Sequence, residues 1–460
     1  MSRTRIAIVG AGPAGAFTAS QLRRHGSWAD IDLIERLPTP WGLLRAGVAP
    51  DHQEIKRLDE TFDRTIFRTG CRFFGNVAVG TDVAHSDLMR RYHAVVYAVG
   101  AQTDRSLGIP GEELPGSLPA TAFVGWYNGH PDYRDLAPDL SHETAVVIGN
   151  GNVAADVARL LTRDPDELAR TDVADHALAA RRESAVRRVI VLGRRGPAQA
   201  AFTNAELREL GRMAGVDVVV EPAEAELDPV STAWLAEEGT FTARRNVERL
   251  QAYAAAERDP SASRTIELRF LRSPAAIRGG DHVEGIDVVT NEISRDESGV
   301  LRARPVSDAT ETIPCGLVLR SVGYQAVPLP DVPFDERSYV LPNDRGRVLD
   351  LDTGEHIRGV YAVGWIKRGP TGILGTNKRD AEETVRALVE DLQAGRLNEP
   401  AEEGTVEDLL QGRDDVVTAA GWSAIDRHEL AAGEAGERPR VKLAAREELL
   451  QVAGGTGVTT

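Results

Sequence analysis

Residues 6–15 read IAIVGAGPAG, and this stretch decides the fold because it joins an apolar strand to a tight glycine turn. Four apolar residues in a row are typical of a strand that is covered on both faces of a parallel sheet. Gly10 lets the chain turn, Gly12 lets a pyrophosphate approach the backbone, and the small Gly15 lets the next helix pack closely on the strand. The N-terminus of that helix would offer free N–H groups to the phosphates.

A second turn of the same kind occurs later in the chain, where residues 145–154 read AVVIGNGNVA. It again has an apolar strand, two glycines at Gly149 and Gly151, and a small residue, Ala154, in the third position. One such turn is weak evidence for a ligand. Two of them, each after a strand and before a helix, predict two dinucleotides held face to face.

The residues that end the next strand differ between the two turns, and they distinguish the ligands. After the first turn, the strand at 31–34 ends in Glu35, whose carboxylate would accept hydrogen bonds from the adenosine ribose of FAD or NAD. After the second turn, the strand at 189–193 ends in Arg194 and Arg195. Because a guanidinium pair binds a 2′-phosphate, the second site is predicted to prefer NADP. The alternative is two arginines in a solvated surface turn.

Length, charge and cysteine content exclude several classes of protein. A chain of 460 residues suffices for two or three domains, and its net charge of −16 argues against a nucleic-acid partner. Cys71 and Cys315 form no C-x-x-C motif, so no redox dithiol, zinc site or iron–sulfur cluster is expected. No run approaches the ~20 apolar residues of a membrane span. We therefore expect a cytoplasmic globular protein without a metal site, with a monomer as the working expectation.

Strand and helix patterns indicate how the chain is organised around the two turns. The first helix is predicted from Pro13 to about Arg24, and an apolar strand at 94–100 closes the first half. The strand at 316–323 resembles the one at 94–100, which suggests that the chain returns there to the first domain.

These patterns predict an α/β fold with two doubly wound, Rossmann-like dinucleotide-binding domains, of which the NADP domain is inserted into a split FAD domain. The predicted FAD domain comprises residues 1–104 and 323–460, and the predicted NADP domain comprises residues 105–322. A C-terminal extension begins at about residue 398, with weak helical character at 405–410 and 446–452.

Further motifs accompany the two turns. They are LPTPWGLLR at 37–45, GVAPDH at 47–52, GNV at 75–77, GRRGP at 193–197, Phe202-Thr203 with ELREL at 206–210, and GWIKRGPTG at 364–372. With these motifs the chain resembles, nearly from end to end, the ferredoxin–NADP reductases of the adrenodoxin-reductase type, and specifically their bacterial branch. The last block is highly specific, because thioredoxin- and glutathione-reductase-like flavoproteins would have Gly-Asp where this chain has Gly364-Trp365.

The resemblance implies three catalytic residues. His52 resembles the active-site histidine of the family, and Asp156 and Glu206 resemble its carboxylate companions. Glu206 would bind the nicotinamide amide, and the three groups would chiefly position the ring, since hydride transfer needs no proton relay. From the residues alone, His52 could instead cap a loop, and Asp156 could complement the dipole of its helix.

The resemblance also implies which residues bind the cofactors. Trp365 would lie beside the isoalloxazine or the nicotinamide, with a buried core tryptophan as the alternative. A helix from about Lys378 to Leu392 would aim backbone donors at the flavin pyrimidine edge, and Gly372 would leave room for a nicotinamide. Arg105 resembles a phosphate contact, with a plain surface arginine as the alternative. The full set is Gly10, Gly12, Ala14, Gly15, Glu35, Leu43, Val77, Arg105, Asn150, Gly151, Asn152, Val153, Arg194, Arg195, Glu206, Trp365, Gly372, Ile373 and Leu374.

The family implies FAD and NADP(H) as cofactors and a ferredoxin as partner. NADPH would pass a hydride to flavin N5, and electrons would then leave one at a time to a separate iron–sulfur protein. Because both proteins would be acidic, docking would need a basic patch, for which Arg244, Arg245 and Arg249 are the candidates; a solvated helix face is the alternative. The main alternative function is an NADPH diaphorase or quinone reductase. A non-catalytic nucleotide sensor is disfavoured by the Arg194-Arg195 pair.

Overall fold

The chain forms two compact units, of which the computed structural model describes residues 3–372 and 374–454. The first unit comprises Met1–Thr103, Asn128–Arg134 and Tyr324–Thr460, and the second comprises Asp104–Tyr127 and Asp135–Gly323. The short segment 128–134, which the sequence analysis assigns to the inserted domain, thus belongs to the first unit. Within the described ranges, no helix has both the length and the apolar character that a membrane span requires.

The strands and helices of the first unit surround its glycine turn. Its strands are β1 (Thr4–Val9), β2 (Ala29–Glu35), β3 (Arg72–Gly75), β4 (Ala94–Tyr97), β5 (Thr103–Asp104, at the boundary of the units), β15 (Tyr324–Gln325), β16 (Asn343–Asp344), β17 (Arg347–Leu349) and β18 (His356–Ala362). Its helices are α1 (Pro13–Arg24), α2 (Leu43–Ala46), α3 (Gln53–Lys56), α4 (Leu58–Ile66), α5 (His85–Arg91), α14 (Trp365–Arg368), α15 (Leu374–Gln393), α16 (Val406–Leu409), α17 (Ala419–Ala435) and α18 (Arg446–Gly454).

The second unit contains the remaining elements. Its strands are β6 (Ser117–Pro119), β7 (Thr144–Ile148), β8 (Arg188–Gly193), β9 (Val216–Val220), β10 (Arg264–Phe270), β11 (Arg272–Arg278), β12 (Gly285–Arg295), β13 (Leu301–Pro314) and β14 (Leu317–Arg320). Its helices are α6 (Ala120–Tyr127), α7 (Asn152–Thr162), α8 (Pro165–Leu168), α9 (Asp175–Glu183), α10 (Asn204–Leu210), α11 (Pro222–Ala225), α12 (Pro229–Glu237) and α13 (Phe241–Ala255).

The sheet of the first unit brings the first glycine turn to its carboxyl edge. The strand order is β16-β17-β18-β4-β1-β2-β3, and the strands from β18 to β3 in that order are parallel. Ile6 of β1 lies opposite Ile31 of β2 and Ala94 of β4. Because the strand order reverses at β1, the turn after it opens into the crevice where doubly wound folds bind ligands.

Two cores, one on each face of this sheet, explain the continuous apolar run at the start of the chain. Ile6 and Ile8 pack into one core, and Ala7 and Val9 pack into the other. All four side chains are almost completely buried. A strand covered on both faces has no solvent side, so polar residues do not alternate with apolar ones along it.

The second unit repeats this arrangement around the second turn. Its six-stranded sheet has the order β6-β14-β7-β8-β10-β9, and each neighbouring pair is parallel. β7 lies between β8 and β14 as β1 lies between β2 and β4, so the turn at Gly149 also leaves the sheet where the strand order reverses. These sheets confirm the predicted α/β class with two doubly wound halves.

β14 corrects one expectation from the sequence. It pairs with β7 inside the second sheet, so the strand within 316–323 does not mark the return to the first domain. It resembles the strand at 94–100 because it holds in the second sheet the position that β4 holds in the first. A separate antiparallel sheet, β11-β12-β13, belongs to the second unit as well.

The C-terminal extension is an integral part of the first unit. α16 and α18 correspond to the two stretches of weak helical character, whereas α17 was not predicted, because its many Ala and Gly residues give little apolar periodicity. Trp422 and Ile425 of α17 and Leu449 of α18 are buried in the core on one face of the sheet, and Val406 is buried in the core on the other. The extension therefore helps to cover both faces.

Polar contacts from the extension also hold the segment 128–134 in the first unit. Lys442 Nζ donates to the Asn128 carbonyl oxygen at 3.1 Å, and Lys56 Nζ donates to Asn128 Oδ1 at the same distance. Arg446 Nη2 pairs with Asp132 Oδ1 at 2.9 Å. These contacts explain why a segment flanked on both sides by the second unit packs with the first.

A buried ion cluster ties α17 to the loop region after the first turn. The fully buried Glu429 accepts from Arg45 at 2.5 and 2.8 Å, from Arg440 at 3.1 Å and from the Leu443 N–H at 2.9 Å. Burial by itself would raise the pKa of Glu429, but Arg45, Arg440 and the Leu443 N–H together hold that pKa below its ordinary value. Removing one member of such a cluster leaves uncompensated charge in the interior.

Glu429→Gln should therefore lower the free energy of unfolding by about 3 kcal/mol, because Arg45 loses its buried carboxylate and Arg440 is left with Asp59 and Asp426. The measurement is urea unfolding followed by far-UV circular dichroism at neutral pH. The control is Glu403→Gln, which removes a fully exposed partner of Arg5 and should change the unfolding free energy little. Equal losses in the two variants would contradict a structural role for the buried cluster.

A second carboxyl group of the first unit gives stability a pH dependence. Burial raises the pKa of Asp63 to about 6, although the Trp422 Nε1–H donates to Asp63 Oδ1 at 3.0 Å and opposes the shift. Because this folded-state pKa is above the unfolded value of 3.8, stability from the neutral form is complete below pH 3.8 and is lost as the pH rises through about 6.

Asp63→Asn should remove this pH dependence. Between about pH 4 and pH 6.5, the wild type should lose on the order of 2 kcal/mol of unfolding free energy relative to the variant. Urea unfolding curves at several pH values in this range measure the difference. A difference between wild type and variant that stays constant with pH would rule out the titration of Asp63 as its source.

Candidate functional site

The first glycine turn is closely packed at two of its glycines and open at the third. Gly10 has a φ of 101°, and a Cβ there would lie 2.6 Å from the Ala98 carbonyl oxygen. A Cβ at Gly15 would lie 2.0 Å from the Gly10 carbonyl oxygen. At Gly12 the nearest atom to such a Cβ is the Gly42 Cα at 3.9 Å, so packing within the protein does not require glycine there. Gly12 is thus the least tightly packed of the three glycines, as expected for the one that a pyrophosphate would approach.

The second glycine turn shows the same division. Gly149 has a φ of 123°, and a Cβ there would lie 2.1 Å from the Ser321 carbonyl oxygen. A Cβ at Gly151 would meet no atom within 4 Å, and Ala154 is fully buried against the sheet. The side-chain Nδ2 of Asn150 is buried and has no hydrogen-bond acceptor among the residues that the structure describes. The second turn therefore has an open backbone at Gly151 and a buried, unpartnered amide donor on Asn150, next to Gly193.

Glu35 holds the first turn in place from the end of β2. Its Oε2 accepts from the Ala11 N–H at 2.9 Å, and its Oε1 accepts from the Leu37 N–H at 3.1 Å. Burial raises the pKa of Glu35, and these two N–H donors oppose the shift. The buried Val77 donates its N–H to the Glu35 carbonyl oxygen at 2.9 Å. Each carboxylate oxygen still has a second lone pair, so acceptors remain for a hydroxyl group.

The loop before α2 lies against the first turn in a conformation that the sequence did not predict. Trp41 and Gly42 have φ values of 78° and 46°, both in the left-handed region. The Trp41 N–H donates to the Ala11 carbonyl oxygen at 2.8 Å, and a Cβ on Gly42 would lie 3.0 Å from the Gly12 Cα. The half-buried Leu43 then begins α2. Positive φ at a tryptophan is rare, and here it brings the loop beside Gly12.

The block at 364–372 begins on the first turn of α1. Gly364 has a φ of 80°, and a Cβ there would lie 2.6 Å from the Ala14 Cβ. The Gly364 N–H donates to Asp380 Oδ2 at 2.5 Å, a contact that the motif did not reveal. The ring of Trp365 lies 4.9 Å from the ring of Tyr324 at an angle of 50°, and Trp365 is half-buried rather than a core residue.

The end of the block leads directly into α15. Gly372 has a φ of 81° and is exposed, and a Cβ there would lie 2.6 Å from Thr376 Oγ1. α15 begins at Leu374, about one turn before the predicted start near Lys378. Ile373 lies outside the described residues.

His52 occupies the N-cap position of α3 in the first unit. Its carbonyl oxygen accepts from the Ile55 N–H at 3.1 Å and the Lys56 N–H at 3.3 Å, and its own N–H donates to the Ala49 carbonyl oxygen at 3.0 Å. The side chain is half-buried. The backbone of His52 therefore takes part in loop capping, while Asp156 and Glu206 belong to the second unit.

Asp156 and Glu206 are brought together by an arginine that sequence reasoning missed. Arg159 is 1% exposed, and its Nη2 pairs with Asp156 Oδ1 at 2.7 Å. Its Nη1 pairs with Glu206 Oε2 at 2.6 Å and with Glu209 Oε2 at 3.2 Å. The signal was present in the sequence, because Asp156 and Arg159, like Glu206 and Glu209, are spaced by one helical turn. We call these four residues the Arg159 cluster.

The first turn of α10 is anchored to the second glycine turn. Asn152 Oδ1 accepts from the Thr203 N–H at 2.8 Å, and the Asn150 carbonyl oxygen accepts from the Ala201 N–H at 3.1 Å. The hydroxyl of Thr203 caps α10 by accepting from the Glu206 N–H at 3.4 Å. These contacts hold Glu206, in the first turn of α10, near the start of α7, which begins with Asn152 and Val153.

Arg194 and Arg195 follow the carboxyl end of β8, as predicted. Arg194 is exposed and Arg195 is half-buried, and among the described residues neither guanidinium forms an ion pair. Burial and the charge of Arg194 lower the pKa of Arg195. The Asn291 Nδ2–H donates to the Arg194 carbonyl oxygen at 2.8 Å, which fixes the backbone of the pair. Arg105 is exposed, and its N–H donates to the Gly323 carbonyl oxygen at 3.1 Å.

The chain is similar to known proteins over nearly its whole length. The profile of the family described as pyridine nucleotide-disulphide oxidoreductase matches residues 4–223. NADPH-ferredoxin reductase FprA of Mycobacterium tuberculosis is 48% identical over 464 residues, covering 98% of this chain and 99% of that protein. NADPH:adrenodoxin oxidoreductase, mitochondrial, of Bos taurus is 43% identical, covering 98% of this chain and 92% of that protein.

The structural comparison agrees with the sequence comparison. The solved structure of Mycobacterium tuberculosis FprA in complex with NADPH superposes with a TM-score of 0.91 at 48% identity, covering 98% of this chain and all of that one. Similarity of this extent confirms FAD and NADP(H) as cofactors and the predicted class of enzyme. The chain therefore belongs to the family of NADPH-ferredoxin reductases of the adrenodoxin-reductase type.

Proposed function

We propose that the chain takes electrons from NADPH through FAD and delivers them to a ferredoxin-type iron–sulfur protein. When bound, FAD would supply the chemistry that matches a two-electron donor to a one-electron acceptor, with a hydride taken up at N5 and electrons released singly. The observation that carries the proposal is that close packing does not require glycine at Gly12 or Gly151, while Arg194 and Arg195 form no ion pair among the described residues.

The first unit is the proposed FAD domain. The backbone around Gly12 would hold the pyrophosphate at the N-terminus of α1, and Glu35 has free lone pairs for the ribose hydroxyls. The N-terminus of the 20-residue helix α15, with Gly372 and Leu374 at its start, would direct backbone N–H groups at the flavin pyrimidine edge. The half-buried Trp365 would shield the flavin from water.

The second unit is the proposed NADP domain. The backbone at Gly151 and the unpartnered Nδ2 of Asn150 would bind the pyrophosphate. Two adjacent guanidinium groups repel each other, and the lowered pKa of Arg195 reflects that repulsion together with burial. An anion such as the 2′-phosphate would relieve it, whereas the 2′-hydroxyl of NAD would not.

His52, Asp156 and Glu206 are proposed to orient the nicotinamide ring. Glu206 would accept a hydrogen bond from the carboxamide, since its carboxylate is fixed by Arg159 and by the capping of α10. Asp156 pairs with the same arginine and would help to keep the Arg159 guanidinium in place beside Glu206. Hydride transfer depends on the distance and alignment of the reacting atoms, so fixed side chains act through positioning.

The proposed ferredoxin-binding surface is the basic patch on α13. Arg245 is exposed and pairs with Glu248 at 2.8 Å, while Arg244 donates to the carbonyl oxygens of Leu235 and Ala236 at 3.2 Å each. Arg244 and Arg245 are both exposed, and the half-buried Arg249 adds a third positive charge on the same helix. On an enzyme with a net charge of −16, a local positive patch is what an acidic partner requires.

The cofactor preference tests the NADP site. In the wild type, flavin reduction by NADPH should be much faster than by NADH at low concentration. Replacing both residues, Arg194→Gln with Arg195→Gln, should reduce the NADPH-to-NADH ratio by about two orders of magnitude, because two charge-assisted contacts to the 2′-phosphate are lost. Stopped-flow measurement of flavin absorbance gives both rates.

The matched control is Arg188→Gln, at the other end of β8, where the guanidinium pairs with Glu267 at 2.6 Å. This variant should keep the wild-type ratio. Equal rates with NADPH and NADH in the wild type would refute the assignment of the second unit to NADP.

Charge reversal at the patch tests the partner. The double variant Arg244→Glu/Arg245→Glu should slow NADPH-dependent reduction of an acidic ferredoxin about tenfold and abolish its dependence on ionic strength. The rate with a small quinone should not change, because a small acceptor needs no docking surface. Arg182→Glu is the control, since its side chain is 55% exposed and that of Arg245 is 56% exposed. Unchanged ferredoxin reduction and salt dependence would show that the patch is not the docking surface.

The alternative function, an NADPH diaphorase or quinone reductase, makes a different prediction about the acceptor. A ferredoxin reductase should have a kcat/KM for ferredoxin well above its kcat/KM for a quinone. Steady-state rates with both acceptors decide between the two, and a higher value for the quinone would favour the alternative.

A further inference from the structure

The backbone of the Arg194-Arg195 pair is held by two residues from later in the chain, Leu271 between β10 and β11 and Asn291 on β12. The Asn291 Nδ2–H donates to the Arg194 carbonyl oxygen at 2.8 Å, and the Leu271 N–H donates to the Arg195 carbonyl oxygen at 3.2 Å. The Leu271 carbonyl oxygen in turn accepts from the Asn291 N–H at 2.8 Å. Asn291 therefore contacts one arginine directly and the other through a single intermediate residue.

Leu271 makes these contacts in a conformation that its side chain disfavours. Its φ of 56° lies in the left-handed region, which bulky side chains rarely adopt. Both of its backbone polar groups are used, the N–H on Arg195 and the carbonyl oxygen on Asn291. Unfavourable backbone of this kind persists where the surrounding structure fixes it, and it is concentrated at functional sites.

The amide group of Asn291 is oriented by both of its hydrogens. Besides the Arg194 carbonyl oxygen, Nδ2 donates to Ser273 Oγ at 2.7 Å. Asn291 is 3% exposed, and its Oδ1 has no hydrogen-bond donor among the residues that the structure describes. A buried oxygen without a donor costs stability, so packing alone would favour an apolar side chain of the same shape. The donor end of the amide accounts for an asparagine at this position.

An irregularity in the antiparallel sheet lies at the same position. Val289 of β12 lies opposite Thr310 of β13, whereas Asn291 lies opposite Pro305, so the pairing register shifts between the two residues of β12. Such irregularities redirect side chains and are over-represented next to active sites. Here the side chain that follows the shift is the one that contacts Arg194.

We propose that Asn291 is a positioning residue that sets the preference of this chain for NADPH over NADH, by holding the backbone from which Arg194 and Arg195 reach the 2′-phosphate. The inference rests on the proposed function, in which the arginine pair binds that phosphate. Contacts between a guanidinium group and a phosphate depend on direction as well as distance, so a shift of this backbone weakens them. NADH carries a hydroxyl group in place of the phosphate and depends on them little.

The test removes the donor and keeps the shape of the side chain. Asn291→Leu should raise about tenfold the NADPH concentration that gives half of the maximal rate of flavin reduction, because the Arg194 carbonyl oxygen loses its donor. The corresponding value for NADH should change less than about twofold, because NADH lacks the phosphate. Stopped-flow measurement on the holoenzyme gives both values. Equal changes for the two cofactors would overturn the proposal.

A milder variant keeps the test decisive if Asn291→Leu does not fold. Ser273→Ala retains the amide and removes the hydroxyl group that accepts its other hydrogen. It should raise the NADPH value about threefold relative to the NADH value, because the amide is less firmly oriented. An unchanged ratio of the two values in Ser273→Ala would also count against the proposal.

The matched control, Asp287→Asn, lies on the same strand. Asp287 is 2% exposed, pairs with Arg278 and accepts from Thr312 Oγ1 at 2.7 Å. Its substitution disturbs buried polar contacts of β12 without breaking a contact to the arginine pair. The NADPH-to-NADH preference should stay as in the wild type. A loss as large as that in Asn291→Leu would show that general damage to β12 lowers the preference, and it would refute the specific role of Asn291.

A double-mutant cycle tests whether Asn291 acts through the arginines. When Asn291→Leu is added to Arg194→Gln/Arg195→Gln, no further loss of preference should occur, because the groups that it positions are already absent. A further loss of about tenfold would show that the two changes are independent and would contradict the proposal.

Two ligands without a nicotinamide separate failure of this inference from failure of the proposed function. Isothermal titration of the holoenzyme gives the Kd of 2′,5′-ADP and of 5′-AMP, which differ only in the 2′-phosphate. The wild type should bind 2′,5′-ADP more tightly, and Asn291→Leu should reduce that difference about tenfold. If the variant keeps the full difference, the inference is refuted while the NADP site stands. If the wild type binds both ligands equally, the assignment of the arginine pair to the 2′-phosphate fails, and the inference fails with it.

Discussion

Both units depend on one steric constraint. The first residue after the central strand, a glycine in each unit, lies so close to the backbone that follows the neighbouring strand that a Cβ would not fit there. At Gly10 the limiting atom is the carbonyl oxygen of Ala98, just after β4, and at Gly149 it is that of Ser321, just after β14. This approach fixes where α1 and α7 start. It also positions Gly12 and Gly151, and with them the start of the helix that follows each turn.

A buried charge cluster links separate elements in each of the two units. In the first unit one carboxylate, Glu429, lies between two arginines and binds the C-terminal extension to the rest of the fold. In the second unit one arginine, Arg159, lies among three carboxylates beside the glycine turn. Arg440 also pairs with Asp59 of α4 and with Asp426 of α17, so the first cluster links several parts of the first unit. The second cluster links α7 to α10.

The sequence predicted the features that depend on local chemistry. The two turns, α1 with its end at Arg24, and the residues that end β2 and β8 follow from apolar runs, glycine spacing and residue type. Features that depend on distant contacts were missed. α17 lacks apolar periodicity, and its buried side is set by the core around Trp422. Trp41 has a positive φ, and its N–H donates to the Ala11 carbonyl oxygen. Arg159 pairs with Glu206 only because α10 packs on α7. The segment 128–134 packs in the first unit because of its contacts with the C-terminal extension, although its neighbours in sequence belong to the second unit.

That last feature bears on how such enzymes can be recombined. A chimera that exchanged the nucleotide-binding half between relatives by two cuts, before Asp104 and after Gly323, would also import a foreign 128–134 segment into the first unit. The imported residues would face Lys442 and Arg446 of the host, to which they were not matched. The second unit is therefore transferable only as two segments with four junctions, and a simple two-cut exchange disturbs the contacts of the C-terminal extension.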